Sequence, residues 1–70
     1  MGKFVSFYQV VESRGDFNFA YCPGFGTVEE ARKNIETRTG TGWSINKVTG
    51  HYTGRGTWKR DAEMHLENVK

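Results

Sequence analysis

One cysteine, Cys22, and one proline, Pro23, are all that this 70-residue chain has of either type. A lone cysteine cannot close an intrachain disulfide, so the staples that hold many small secreted domains are excluded. The other soft ligands, His51 and His65, stand far from Cys22 and from each other, without the spacing of a zinc site. Long apolar runs are missing too, which leaves nothing that reads as a bilayer span or a signal-peptide core. The expectation is a cytoplasmic protein with no cofactor, no metal and no membrane partner. A chain this short buries only a modest share of its surface, and with no cross-link to help, a homodimer is one route to stability.

Carboxylates are also missing from a long stretch. Between Glu36 and Asp61 stand Arg38, Lys47, Arg55, Lys59 and Arg60 without an Asp or Glu, interleaved with Trp43, Tyr52, Trp58 and several glycines. The formal net charge of +2 is mild. Its distribution is not, because the segments on either side are net acidic and the whole positive excess lies in this one. Aromatic residues make up 14% of the chain, too many for a disordered polar segment.

Residues 3–12, KFVSFYQVVE, are rich in β-branched and aromatic types and predict a strand. Ser13 to Asp16 reads as a tight turn, and the alternation of Phe17, Phe19 and Tyr21 with Asn18, Ala20 and Cys22 predicts the returning strand. Placing Glu12 opposite Phe17 sets Val10 against Phe19 and Tyr8 against Tyr21. The bulky groups, Phe4 included, then share one side, and Val5, Phe7, Val11, Ala20 and Cys22 share the other. Both sides are apolar enough to need covering, and the pattern does not choose which one meets a helix. Cys22, among apolar neighbours, reads as a buried thiol rather than a nucleophile.

Pro23 to Gly26 ends that strand. Thr27 and Glu30 have capping-box spacing, so a helix starts there, with Val28, Ala31 and Ile35 as its inward stripe and Gly40 or Gly42 placed to end it. The last third admits two readings. Asp61 to Glu67 has helix-forming composition, with Ala62, Leu66 and Val69 on one helical face. A strand fits the pattern better, because folding residues 43–66 about Thr53-Gly54-Arg55-Gly56 sets Tyr52 opposite Thr57. It also sets Trp43 opposite Leu66, Ile45 opposite Met64, Lys47 opposite Ala62, and Asn46 with Glu63 on the other face. The fold class expected is α+β, one domain over 1–70 in β-β-α-β-β order, with antiparallel hairpins and one helix packed on a sheet face.

In that register the second hairpin has an apolar base and a basic, aromatic tip that projects past the helix. The functional expectation is a small non-enzymatic module that contacts RNA or DNA through Lys47, Tyr52, Arg55, Trp58, Lys59 and Arg60. The alternative is a phage-type inhibitor or host-takeover factor that binds a host protein, with Phe17, Phe19 and Tyr21 as anchors. Other signals read as structure. The Pro23–Thr27 segment enters a helix but has neither the lysine nor the spacing of a P-loop, and the glycine of Arg14-Gly15-Asp16 serves a turn. Glu63 and Glu67 share a strand face without a partner in the pattern, and no enclosed pocket is implied for catalysis.

Overall fold

The computed structural model describes residues 4–70, except for the side chains of Cys22 and Pro23. The expected start of the first strand at Lys3 and the expected burial of the Cys22 thiol lie outside that description. Along the chain the elements are β1 (Phe4–Arg14), β2 (Phe17–Phe25), α1 (Val28–Glu36), β3 (Trp43–Tyr52) and β4 (Trp58–Asn68). The strands form one antiparallel sheet in the order β2-β1-β3-β4.

The α+β class expected from the sequence is therefore corrected. About 60% of the chain is strand, and the helix is a single nine-residue element laid on one face of the sheet. The physical reason lies in β1, which pairs with β2 on one side and with β3 on the other. Two apolar hairpins thus fuse into a mainly antiparallel β protein, in which the sheet and not the helix organises the core.

The first hairpin turns on Gly15 and Asp16, with Arg14 opposite Phe17. Gly15 has φ 59° and, among the described residues, none but glycine takes positive φ, so Asp16 does not, the pattern of a type II′ turn. Its register differs from the expected one by two residues, since Glu12 faces Phe19 and Val10 faces Tyr21. A shift of two keeps every side chain on its face. The face carrying Tyr8, Val10 and Tyr21 is the one that meets the helix. β2 does not stop before Pro23 but bends through a bulge to bring Phe25 opposite Tyr8.

Thr27 caps α1 from an extended backbone, its Oγ1 accepting from Glu30 N at 3.2 Å. The helix ends at Thr37, whose hydroxyl and N–H both donate to the Asn34 carbonyl, and not at Gly40 or Gly42 as expected. Those two glycines, at φ 87° and 88°, instead shape the exit into β3. Ala31 and Ile35 are buried against Val10, Trp43 and Ile45, with Tyr8, Tyr21, Phe25, Val28 and Val69 packed around them.

The second hairpin departs further from expectation. Tyr52 faces Trp58, not Thr57, and bulges at Thr49/Gly50 and Ile45/Asn46 let Lys47 face Met64 and Ile45 face Glu67. Met64 and Leu66, expected against Ile45 and Trp43, are 56% and 37% exposed. The helix covers the middle of the sheet, so β4 is left as an outer strand whose extra residues sit in bulges. Nor is the hairpin a free arm, because β1 flanks β3 from Glu12↔Trp43 as far as Phe4↔His51. Only the loop past Tyr52 projects beyond the sheet.

Candidate nucleic-acid interface

Alternation along β3 divides the candidate residues between two faces. Trp43, Ile45, Lys47, Thr49 and His51 point to the helix side, whereas Ser44, Asn46, Val48, Gly50 and Tyr52 point to the face that α1 leaves open. On the open face Tyr52 and Trp58 are direct cross-strand partners, 44% and 41% exposed. The Trp58 indole leans over Gly50 and meets the Phe7 ring edge-on, with centroids 5.5 Å apart. One flank of the indole is thereby packed and the other is presented to solvent.

Arg60 shares this face opposite Gly50, and its Nη1 donates to Glu63 Oε1 at 2.7 Å. Arg55 stands at the apex of the loop between Gly54 and Gly56, which take φ 91° and 75°. The loop is closed by Thr53 N donating to Thr57 O at 3.0 Å and by contact of the two threonine hydroxyls at 2.6 Å. Lys59 is exposed but opposite His51 on the helix side, and Lys47 is half-buried there between Tyr8 and Met64.

The structure thus brings together Tyr52, Trp58 and Arg60, with Arg55 above them, and sets Lys47 and Lys59 apart. Pairing also returns carboxylates to the basic stretch. Asp61 lies 2.9 Å from His51 Nδ1, and Glu63 holds Arg60 while accepting from Asn46 Nδ2 at 3.3 Å. The positive field at this end is weaker than the run of bases suggests. Asn46 Oδ1 is buried beneath it without a hydrogen-bond partner.

The anchors expected for a protein partner also divide. Phe17 and Phe19 are 70% and 47% exposed on β2. Tyr21 is engaged, its hydroxyl donating to Glu12 Oε1 at 2.7 Å and its ring lying 4.4 Å beneath the Arg38 guanidinium. That guanidinium also sits 5.1 Å over Trp43, while its Nε donates to Asn34 Oδ1 at 2.8 Å.

Arg14 Nε reaches Glu12 Oε2 at 3.1 Å, completing a cluster that lines an open cleft of about 360 Å³ with Thr37 and Thr39. The Tyr21 hydroxyl bond, aided by Arg14 and opposed by burial, holds the Glu12 carboxyl below its ordinary pKa. The same bond, with burial, pushes the Tyr21 hydroxyl up. Sequence reasoning missed this cluster, because its members come from β1, β2, β3 and the end of α1 with the segment that follows it, and only the long-range fold joins them. It missed Phe7 and Gly50 for the same reason.

Arg32 Nη2 and Glu67 Oε1 pair at 2.7 Å and tie the helix to β4, which raises the arginine pKa. Among the described residues no helix is long and apolar enough to cross a membrane, and no group of His, Cys, Asp and Glu is placed to hold a metal ion. No family model, curated protein or solved structure matches this chain.

Proposed function

We propose that this chain is a non-enzymatic module that binds single-stranded RNA or DNA on the open face of its sheet. The observation that carries the reading is the Tyr52–Trp58 pair, half-exposed on the face opposite the helix with Arg60 beside it and Arg55 at the adjoining apex. Exposed aromatic rings held on a rigid sheet offer stacking surfaces to unpaired bases, and such stacking is tolerant of sequence. Arginines at the rim supply the backbone attraction. Single strands are favoured over a duplex because a flat sheet face with splayed rings meets bases that have left their stack, whereas a groove calls for a projecting ribbon. Lys47 is left out of the contact set by its position on the helix side, and Lys59 contributes long-range attraction from the strand's other face.

The two tryptophans make the test direct. Trp43 is 4% exposed and Trp58 41%, so a base stacking on the protein should quench the emission of Trp58. Titration with oligonucleotides at low salt is expected to quench wild-type fluorescence, and Trp58→Phe should remove most of the quench and weaken binding. Raising the salt should weaken binding, with a slope of about −0.7 per phosphate contacted. Absence of binding to any single strand at low salt would sink the proposal, as would equal binding by wild type and a Tyr52→Ala, Trp58→Ala double variant.

A further inference from the structure

The two edges of the sheet are built differently. β4 carries Lys59, Arg60, Asp61, Glu63 and Glu67 and is broken by two bulges, devices that keep an edge strand from recruiting another chain. From Phe17 to Phe25, β2 has no charged residue. Over Phe17–Tyr21 it pairs regularly with β1, without a bulge. Pro23 has no N–H to offer and marks where regular pairing would stop.

Which backbone groups of β2 look outward follows from the ladder. Ser13 N donates to Gly42 O at 2.8 Å, so the odd-numbered residues near this end of β1 direct their N–H and C=O toward β3 and the even-numbered ones toward β2. Glu12 and Val10 therefore exchange hydrogen bonds with Phe19 and Tyr21, the residues opposite them. Asn18 and Ala20 turn their backbone groups away from the sheet.

We infer that Asn18 and Ala20 pair antiparallel with the same strand of a second copy of this chain, giving a two-fold dimer with one continuous eight-stranded sheet. In this register Asn18 lies opposite the partner's Ala20, and Phe17 lies opposite the partner's Tyr21. Phe19 lies on the dyad against the partner's Phe19, with Cα atoms about 4.5 Å apart as in any non-hydrogen-bonded antiparallel pair. Phe17 and Phe19, 70% and 47% exposed in the single chain, are the large apolar side chains that the dimer covers.

A dyad demands a surface complementary to itself, and a strand with no charged residue of its own suits that demand; the Arg14 guanidinium that lies 5.8 Å over the Phe19 ring is paired with Glu12. The guarded β4 edge stops the assembly at two chains. Because the dyad is normal to the sheet, both helices lie on one face and both Trp58 side chains on the other.

Sedimentation of the full chain tests this. The wild type is expected to sediment as a dimer at about 100 µM. Phe19→Lys sets two like charges on the dyad, and Ala20→Pro removes an N–H that β1 does not use. Both variants are expected to be folded monomers by circular dichroism and sedimentation. Mixing Phe19→Lys with Phe19→Glu should give a heterodimer in native mass spectrometry, which follows only if residue 19 faces itself. Three results would each overturn the inference: a wild-type monomer, a dimer indifferent to Ala20→Pro, or no heterodimer from the mixture. The first of these would leave Phe17 and Phe19 free for an unrelated protein.

Discussion

The indole of Trp58 lies directly across Gly50, so that a Cβ added to this glycine would sit 2.6 Å from the ring and press on the Lys59 carbonyl oxygen as well. The β3–β4 bulge at Thr49/Gly50 brings the strands together in this way, and glycine leaves the room. Gly50→Ala is expected to cost about 1–3 kcal/mol, because the ring could swing aside but the backbone oxygen cannot. Urea denaturation should show the loss and a red-shifted emission should report the displaced indole. An unchanged midpoint with unchanged emission would contradict this packing.

That contact also marks the limit of what the sequence discloses. The strands, the helix and its Thr27 cap were legible because each rests on local chemistry: β-branched and aromatic runs, a capping box, and glycines at turns. The side assignment of the first hairpin survived a two-residue error because β periodicity is two. The second hairpin was misread because pairing Trp43 and Ile45 with Leu66 and Met64 satisfied the pattern, while the actual partners of Trp43 and Ile45 are Val10, Ala31 and Ile35, distant in sequence. Bulges add one residue to a strand without any signature in composition, and two of them moved β4. For the candidate site, Tyr52, Trp58 and Arg55 were legible as an aromatic and basic tip. The face each side chain takes was not, because it depends on that register.

The corrected register has a stability consequence. Ile45 is fully buried and Met64 is 56% exposed, although the sequence pattern makes them equal partners. Ile45→Ala should cost about 2–5 kcal/mol through lost burial and a cavity, whereas Met64→Ala should stay within about 0.5 kcal/mol. Chemical denaturation of the two variants decides the matter. Comparable losses would restore the pairing of these residues in a common core.

The Glu12–Tyr21 bond predicts a pH dependence with two limbs. Glu12 has a lowered pKa in the fold, so its contribution is present above the unfolded glutamate value of about 4.3 and is lost as pH falls through the lower folded value. Tyr21 has a raised pKa, so its contribution is present below about 10 and is lost as pH rises through the folded value. Urea midpoints measured across pH should show both limbs in the wild type. Glu12→Gln should flatten the acid limb, and Tyr21→Phe should remove the alkaline limb while softening the acid one. If Tyr21→Phe left both limbs as they are, the bond would not be the source.

Glu63 sits at the junction of the proposed binding face and its charge balance. It holds Arg60 at 2.7 Å through Oε1 and accepts from Asn46 Nδ2 through Oε2 at 3.3 Å. Glu63→Gln keeps an oxygen for the asparagine while removing the charge that competes with phosphate for the arginine. The pair itself is exposed and adds little to stability, about 0–1 kcal/mol, so the fold should tolerate the change. If Arg60 belongs to the binding face, freeing it should tighten binding to a single-stranded oligonucleotide several-fold at low salt. It should also steepen the salt slope by about 0.7, with the advantage fading as salt rises. Unchanged affinity together with an unchanged slope would place Arg60 outside the contact surface and leave attraction to Arg55 and Lys59 alone.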